Sequence, residues 1–212
     1  MTKKTHNLVG AGLRPALTTA EGGLKKPRRK PLRFHGYNYS QPGAYFVTIC
    51  THDRRCLFGR IVDGEMKLNR FGSAVEACWH SLTQHYFHID LDSFVVMPNH
   101  IRGIVCLTDG AAIDERGKAR HGLAEVVGAF KAFSSRQINA LRHRNEPVWQ
   151  RNYFEHIIRN EESLNRVREY IETNPTRWHI DRENPEVMRA DAGAGLRPAP
   201  TRDDPDLPPF LR

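Results

Sequence analysis

Apolar residues recur along residues 33–180 with two different spacings, and the spacing changes several times along the chain. Alternation with a period of two residues is typical of a strand that is buried on one face. Repeats at three and four residues are typical of an amphipathic helix. The patterned region therefore predicts a domain of mixed α and β structure.

Five short runs have the composition and spacing of strands. They are AYFVTICT (44–51), the two halves of RIVDGEMKLN (60–69), DSFVVM (92–97) and IRGIVCL (101–107). Asp63-Gly64 is a strong signal for a tight turn, so the two halves of RIVDGEMKLN are predicted to form a hairpin. DSFVVM and IRGIVCL are joined by the short Pro98-Asn99 link, which favours a second hairpin.

Three longer segments have helical spacing. They are RFGSAVEACWHSLTQHYF (70–87), LAEVVGAFKAFSSRQINALR (123–142) and EESLNRVREYIETN (161–174). Asn69 is a candidate N-cap for the first, because its side chain can accept hydrogen bonds from the first turn. Pro175 cannot continue a helix and is predicted to end the third. The glycine-rich and charged segment 108–122 is predicted to be a loop.

The formal net charge of +8 is carried by one end of the chain. Residues 1–35 hold nine of the 32 lysines and arginines but only one of the 24 acidic residues, so the remainder is neutral. Such an arm would attract a polyanion such as nucleic acid. Its segment KKPRRK, with Lys25, Lys26, Arg28 and Arg29, has two open interpretations, a solvated tail or a phosphate-contacting arm.

Sequence rich in glycine, proline and alanine lies on both sides of the patterned region. The heptapeptide GAGLRPA occurs at 10–16 and again at 193–199, and neither copy can build a core. The predicted organisation is a basic disordered arm at 1–32, one domain at 33–180 and a disordered tail at 181–212.

The cysteines and the hydropathy of the chain indicate a cellular compartment. Cys50, Cys56, Cys78 and Cys106 show no CxxC pairing, so reduced thiols are expected rather than a zinc ribbon or a disulfide framework. No apolar run approaches the roughly 18 residues of a membrane span, and the N-terminus lacks the apolar core of a signal peptide. We therefore expect a soluble cytoplasmic protein without a membrane partner.

Two pairs of residues have spacings that suit chemistry on a phosphodiester. His100 and Arg102 are two apart on a predicted strand and share a face. Two histidines so placed would hold a divalent ion, but a guanidinium has no lone pair to donate, so Arg102 is not a ligand. Tyr170 and Asn174 are four apart on a predicted helix, where a tyrosine can attack phosphorus beside an amide oxygen. Taken alone, each pair more often has an ordinary role, His100 as a turn or surface residue and Tyr170 as a residue packed at a helix end.

Three blocks of sequence occur together and in order. VVMPNHIRG (95–103) resembles the MPNHxH block of the HUH single-strand transposases. VWQRNYFEHIIRNEESL (148–164) and REYIETNP (168–175) are similar to the WQ…YxEHxIRN and YIxxNP blocks of the REP-associated branch of that superfamily. The similarity covers about residues 33–180, so the whole patterned region resembles the REP-associated tyrosine transposases.

This resemblance implies a ferredoxin-like α+β fold, in which an antiparallel sheet carries the histidine motif and helices pack on the sheet. It implies a Mg²⁺ or Mn²⁺ cofactor that polarises the scissile phosphate, with His100 and Asn174 as metal ligands. It also implies Tyr170 as the nucleophile, which leaves a 5′-phosphotyrosine and a free 3′-OH. The implied substrate is single-stranded DNA near a hairpin, and the implied assembly is a monomer or a homodimer.

Arg102 stands where the resemblance places the second histidine of the motif. It could abolish metal binding, could leave water and substrate oxygens to fill the metal shell, or could place a guanidinium directly on the phosphate. Losing one stabiliser of transition-state charge costs about 10²- to 10³-fold in rate. We therefore expect a weakened DNA nicking and joining enzyme or, as the alternative, a related protein that binds hairpin DNA without turnover.

Further residues are candidates for contacts with DNA. They are Lys131 and Arg136 on the basic predicted helix, and Trp149, Gln150 and Arg151 in the second block. A solvated helix face and a core or loop anchor are the respective alternatives. Tyr153, close to Glu155 and His156, is a rival nucleophile. The resemblance assigns that role to Tyr170 and leaves Tyr153 and His156 as structural or DNA-proximal residues.

Overall fold

The computed structural model describes residues 39–109, 117 and 119–192. The basic arm with Lys25, Lys26, Arg28 and Arg29 lies outside the described residues, as does the segment 193–212. The elements are, in chain order, β1 (Gly43–Cys50), β2 (Gly59–Val62), β3 (Glu65–Leu68), α1 (Arg70–His80), α2 (Leu82–His85), β4 (Ile89–Val96), β5 (His100–Leu107), α3 (Leu123–Arg142), β6 (Phe154–Ile158), α4 (Glu161–Glu172) and α5 (Pro185–Ala192). Within the described ranges, no helix is long and apolar enough to cross a membrane.

Four strands form one antiparallel sheet in the order β4-β5-β1-β6. Apart from the small β2-β3 hairpin, the chain follows the order β1-α1-β4-β5-α3-β6, which is the βαββαβ arrangement of ferredoxin-like folds. The central strands are β5 and β1, and β5 begins at the histidine motif. The predicted ferredoxin-like α+β architecture is confirmed.

Successive side chains of β1 point to opposite faces of the sheet, and apolar residues pack on each face. Tyr45, Val47 and Ile49 belong to the main apolar core, which includes buried residues of α1 and α3. Phe46 belongs to a smaller cluster on the other face. The remaining buried members of that cluster are Ile104, Phe154, Ile158, Val167 and Ile171. Because Val167 and Ile171 lie on α4, this helix covers the face that α1 and α3 leave open.

Local sequence signals set several element boundaries. Asp63 and Gly64 have φ angles of 52° and 75° and form the tight turn between β2 and β3. Asn69 caps α1, since its side chain accepts hydrogen bonds from the N–H groups of Phe71 at 2.9 Å and Gly72 at 3.1 Å. The predicted hairpin and N-cap are therefore both present.

The structure differs from the sequence-based prediction in several elements. The helical segment 70–87 is divided at Ser81 into α1 and the short α2, and α4 ends at Glu172 rather than at residue 174. β6 was not predicted. Residues 181–192, which the sequence analysis assigned to the tail, include buried polar residues and helix α5. The domain therefore extends past residue 180, because these polar side chains bond to the sheet.

Candidate active site

The start of β5 brings the two motif residues to one face of the sheet. His100 pairs with Cys50 of β1 and Arg102 pairs with Thr48. The residue two positions further, Ile104, lies in the cluster beneath α4, so His100 and Arg102 also point toward the α4 side. Both are buried, with exposed fractions of 0% and 5%. The shared face expected from their spacing is present, and these two side chains are shielded from bulk water.

Helix α4 is held on this face by apolar and polar contacts. Val167 and Ile171 pack in the smaller apolar cluster. The guanidinium of Arg168 binds Asp92 through two hydrogen bonds, Nε to Oδ1 at 2.9 Å and Nη2 to Oδ2 at 2.7 Å. Asp92 lies in a β-bulge, where the pairing of β4 with β5 shifts. The bulge thus supplies a carboxylate that anchors the helix carrying Tyr170.

The ring of Tyr170 lies between an aromatic ring and a guanidinium. Its centroid is 6.1 Å from that of Phe46, which it meets edge to face, and 4.9 Å from Cζ of Arg102. The latter is a cation–π contact. The candidate nucleophile is therefore packed directly against the altered motif position.

Asn174 reaches the same place from beyond the helix. It lies two residues after the end of α4, and its N–H donates to the carbonyl of Ile171 at 3.2 Å. Its side chain is buried, and Oδ1 accepts a hydrogen bond from Nη1 of Arg102. The structure brings Asn174 together with Tyr170 and Arg102, but the oxygen that could bind a metal is already engaged.

Asp181 is the counter-ion of Arg102. Its carboxylate accepts hydrogen bonds from Nη1 at 2.6 Å and from Nη2 at 3.2 Å, and both side chains are almost fully buried. Asp181 was not predicted as a site residue, because its segment DRENP has the composition of a polar tail. A buried guanidinium requires a carboxylate as its counter-ion, and this was the one signal in the sequence. It does not identify which carboxylate fills that position.

A second ion pair, between half-buried Arg54 and buried Glu183, lies beside the first. Nε of Arg54 is 2.8 Å from Oε2 of Glu183, and the same oxygen accepts from the thiol of Cys50 at 3.3 Å. The amide nitrogen of Asn99 donates to the backbone oxygens of Glu183 at 2.6 Å and of Arg54 at 3.0 Å. Asn99 therefore fastens the segment after α4 to the start of β5.

The same asparagine fixes the tautomer of His100. Because the Asn99 nitrogen serves as a donor, its Oδ1 is the acceptor for Nδ1 of His100 at 2.9 Å. The proton is then on Nδ1, and Nε2 is the basic nitrogen. Nε2 is buried without a hydrogen-bond partner among the described residues. Burial and the Arg102 charge lower the pKa of His100 to about 3, so the ring is neutral at pH 7.

The Arg102–Asp181 pair is ionised at neutral pH. Burial alone would raise the pKa of Asp181, but the charge and hydrogen bonds of Arg102 lower it to about 2. Burial alone would lower the pKa of Arg102, but Tyr170 and Asp181 raise it above its ordinary value. Burial also raises the pKa of the Tyr170 phenol, and the charge of Arg102 opposes this effect.

The donor atoms do not fit the Mg²⁺ or Mn²⁺ expected from the resemblance. Such an ion needs lone pairs from several groups, and His100 Nε2 offers one. The oxygens of Asn174 and Asp181 already accept hydrogen bonds from Arg102, whose charge lies among them. In the described part of the chain, no group of three or more His, Cys, Asp or Glu residues could hold a metal ion.

Three of the candidates for DNA contacts have structural partners. Trp149 is buried, and its Nε1 donates to Oγ of Ser134 at 2.9 Å. The N–H of Gln150 donates to the carbonyl of Cys50 at 2.9 Å. The ammonium of Lys131 donates to the carbonyls of Gln150 at 2.6 Å and Arg151 at 2.9 Å. These contacts join α3, the segment 149–151 and the end of β1.

The side chains of the other candidates take no part in this junction, although the backbone carbonyl of Arg151 belongs to it. Arg136 and Arg151 are exposed, and the guanidinium of Arg136 lies 4.8 Å from the ring centroid of Phe133. Tyr153 packs against the main core on the α1/α3 side, so it does not share the site of Tyr170. His156 pairs with Phe46 and is half-buried. The functional roles predicted for these residues stay predictions.

Comparisons with known proteins agree with this architecture. No protein family model matches the chain. An uncharacterized protein of Haemophilus influenzae is 35% identical over 168 residues, which cover 72% of this chain and 91% of that protein. A second protein of this species, described as a "Putative REP-associated tyrosine transposase", is 24% identical over 149 residues and covers 66% of this chain and 74% of its own length.

A solved structure has the same fold. It is a REP-associated tyrosine transposase bound to a REP hairpin, with a TM-score of 0.50 and 17% identity over 78% of this chain and 88% of that one. The antiparallel four-stranded sheet with helices packed on it matches the fold of that transposase. The chain therefore shares a family with the uncharacterized Haemophilus influenzae protein, and it is similar in sequence and fold to REP-associated tyrosine transposases.

Proposed function

We propose that this protein binds single-stranded or hairpin DNA and cleaves and rejoins it through Tyr170. The phenol oxygen would form a bond to phosphorus while the bond from phosphorus to the 3′ oxygen breaks, and that oxygen would leave as a 3′-OH. The observation that carries the proposal is the contact of Tyr170 with the buried guanidinium of Arg102. It places a candidate nucleophile beside a fixed positive charge.

DNA is the proposed substrate for two reasons. The related solved structure is bound to a REP hairpin. The excess positive charge of the chain also lies in residues 1–35, which would add affinity for phosphates of any sequence. We propose a REP-like hairpin as the target class, and a monomer or a homodimer as the active form.

The residues around Tyr170 would have separate tasks in this reaction. Arg102 would favour the phenolate, because its charge opposes the rise of the Tyr170 pKa that burial causes. The same guanidinium is suited to contact the phosphate, since its planar fork matches two phosphate oxygens. Asn174 would hold Arg102 in position through its Oδ1. His100 Nε2 is the unprotonated base of the site.

A second function, hairpin binding without turnover, is favoured by the Arg102–Asp181 pair. The carboxylate of Asp181 already occupies two donors of the guanidinium, so a phosphate must displace it or share it. The negative charge of Asp181 would also repel the phosphate. Loss of one electrostatic stabiliser lowers rates by about 10²- to 10³-fold, so turnover would be slow or absent while binding persists.

A covalent adduct assay separates the two functions. The purified full chain is incubated with single-stranded hairpin DNA labelled at its 3′ end, because a 5′-phosphotyrosine retains the 3′ fragment. Parallel reactions contain Mn²⁺ or EDTA, and products are resolved under denaturing conditions. The variants are Tyr170→Phe and Arg102→His, with Tyr153→Phe as the matched tyrosine control on the other face of the sheet.

The outcomes are distinct. An adduct in the wild type and in Tyr153→Phe that is lost in Tyr170→Phe supports the nicking enzyme and excludes the function of binding alone. An adduct in Arg102→His alone, with hairpin binding retained by the wild type, supports binding without turnover. If neither the wild type nor Arg102→His binds hairpin DNA in a gel-shift experiment, both proposed functions are wrong.

A further inference from the structure

We infer that the Arg102–Asp181 pair replaces the divalent metal of the site, with a permanent cation and its own counter-ion built into the fold. This pocket of the wild type then has no divalent-ion site, although it keeps the remaining ligand groups. Asp181 is the additional ligand that would complete such a site once the guanidinium is removed. This inference concerns the pocket of the proposed function, but it does not depend on DNA cleavage.

The geometry indicates that the guanidinium takes the place of a metal ion and that the two cannot be bound in the pocket together. The Nη1 atom of Arg102 donates to Oδ1 of Asn174 and to Oδ2 of Asp181 at 2.6 Å, while Nη2 donates to Oδ1 of Asp181 at 3.2 Å. A metal ion would need these same oxygens as ligands. The guanidinium therefore occupies the centre on which the oxygen ligands converge.

The charge balance leads to the same conclusion. A buried guanidinium is stable only with a hydrogen-bonded counter-charge, and Asp181 supplies one unit of negative charge. The second buried carboxylate, Glu183, is bound by Arg54. A divalent ion added here would meet a fixed like charge in a medium of low dielectric, where repulsion is strong. The pocket thus already holds the cation that its carboxylate can neutralise.

One nitrogen remains open in this arrangement. The Asn99 hydrogen bond leaves Nε2 of His100 unprotonated, and Nε2 has no partner among the described residues. The substitution Arg102→His would free the oxygens of Asp181 and Asn174 and add an imidazole on the same face. Two imidazoles, a carboxylate and an amide oxygen form a donor set that suits Mn²⁺.

Manganese titration of the protein without DNA tests the inference. The full chain is stripped with EDTA and dialysed, and free Mn²⁺ is measured by electron paramagnetic resonance at pH 7.5 while the thermal midpoint is recorded. The wild type is expected to show no saturable site and a shift in Tm below about 1 °C. Arg102→His is expected to bind about one equivalent, with a rise of about 5–10 °C at a Mn²⁺ concentration 100-fold above Kd.

Two controls identify the ligands. Arg102→Met removes the guanidinium without adding a nitrogen ligand and is expected to bind Mn²⁺ at least tenfold more weakly than Arg102→His. Adding His100→Ala to Arg102→His is expected to abolish the rise in Tm. Circular dichroism establishes that each variant is folded before titration.

The inference is overturned if the wild type binds one equivalent of Mn²⁺ that His100→Ala removes, a comparison that needs no change at Arg102. It is also overturned if folded Arg102→His binds no more Mn²⁺ than Arg102→Met. Failure of the proposed function would appear separately, as absence of hairpin binding and of a covalent adduct. The two experiments therefore fail independently.

Discussion

Asp181 and Arg102 form a buried, bidentate ion pair across a separation of 79 positions in the sequence. Removing one member of such a pair leaves the other charge buried and uncompensated, which costs about 3–5 kcal/mol. We predict that Asp181→Asn lowers the free energy of unfolding by about 3 kcal/mol at pH 7, measured by urea denaturation.

The double variant Arg102→Met with Asp181→Asn checks the cause. It removes both charges, so its loss of stability is expected to be smaller than the sum of the two single losses by at least about 1 kcal/mol. Additive losses would contradict the coupling of the two side chains.

Trp149 is predicted to stabilise the fold rather than bind DNA. Trp149→Phe keeps an aromatic ring but removes the hydrogen bond to Ser134, and it is expected to cost about 1–2 kcal/mol in free energy of unfolding. Hairpin affinity, measured by fluorescence anisotropy at a temperature where both proteins are folded, is expected to change less than twofold. A tenfold loss of affinity in a fully folded variant would instead place Trp149 at the DNA interface.

Lys131 and Arg136 lie five positions apart on α3 and are predicted to behave differently. The ammonium of Lys131 is bound to two backbone carbonyls, so Lys131→Met is expected to cost about 1–3 kcal/mol in stability. Arg136 is exposed, and its guanidinium makes a cation–π contact with the Phe133 ring. Arg136→Gln is expected to leave stability within about 0.5 kcal/mol of the wild type.

The salt dependence of DNA binding distinguishes the two cations further. If Arg136 contacts a phosphate, Arg136→Gln lowers the slope of log K against log salt by about 1, and Lys131→Met leaves that slope unchanged. The slope is measured by anisotropy between about 50 and 200 mM salt. An unchanged slope in Arg136→Gln would exclude a phosphate contact for this residue.

The Asp92–Arg168 ion pair should make a contribution to the free energy of unfolding that depends on pH. The Arg168 hydrogen bonds hold the pKa of Asp92 at about 2, below the ordinary value of 3.8. The folded state therefore gains stability from ionised Asp92 above about pH 4, and this gain is lost as the pH falls through 2. Asp92→Asn is expected to cost about 1 kcal/mol at pH 7, and the difference from the wild type should vanish near pH 2.

Asp90 supplies the matched control for this measurement. It lies on the same strand, is exposed and makes no ion pair within the described residues. Asp90→Asn is expected to follow the wild-type stability within about 0.5 kcal/mol at every pH. A gap for Asp92→Asn that stayed constant from pH 7 to pH 2 would assign the loss to packing instead of charge.

Elements with strong local signals could be predicted from the sequence. α3 has the predicted bounds of residues 123 and 142, because its apolar residues keep a helical spacing over five turns. Asn69 caps α1 for the same local reason. β6 was missed because Glu155 and His156 interrupt its apolar pattern and suggested a functional cluster. In the structure, Glu155 is buried within the strand.

The candidate site was predictable only in part, for a physical reason. Four site residues could be grouped from the sequence, namely His100 with Arg102 and Tyr170 with Asn174. The members of each pair are separated by one repeat of a strand or a helix, and the sequence blocks that contain them resemble a known family. Asp181 and Glu183 could not be grouped in this way, since an ion pair formed by folding leaves no periodic trace in the sequence. A buried arginine implies that a carboxylate exists, and the fold alone determines which one it is.

The position of α4 over its own sheet has a genetic consequence. Phe46, Arg102 and Tyr170 meet within a single chain, so each molecule carries a whole set of these groups. Two defective copies, one with Tyr170→Phe and the other with His100→Ala, should not complement each other when they are mixed or expressed together. In a cell that also holds an intact copy, either allele would behave as recessive for the proposed cleavage through Tyr170.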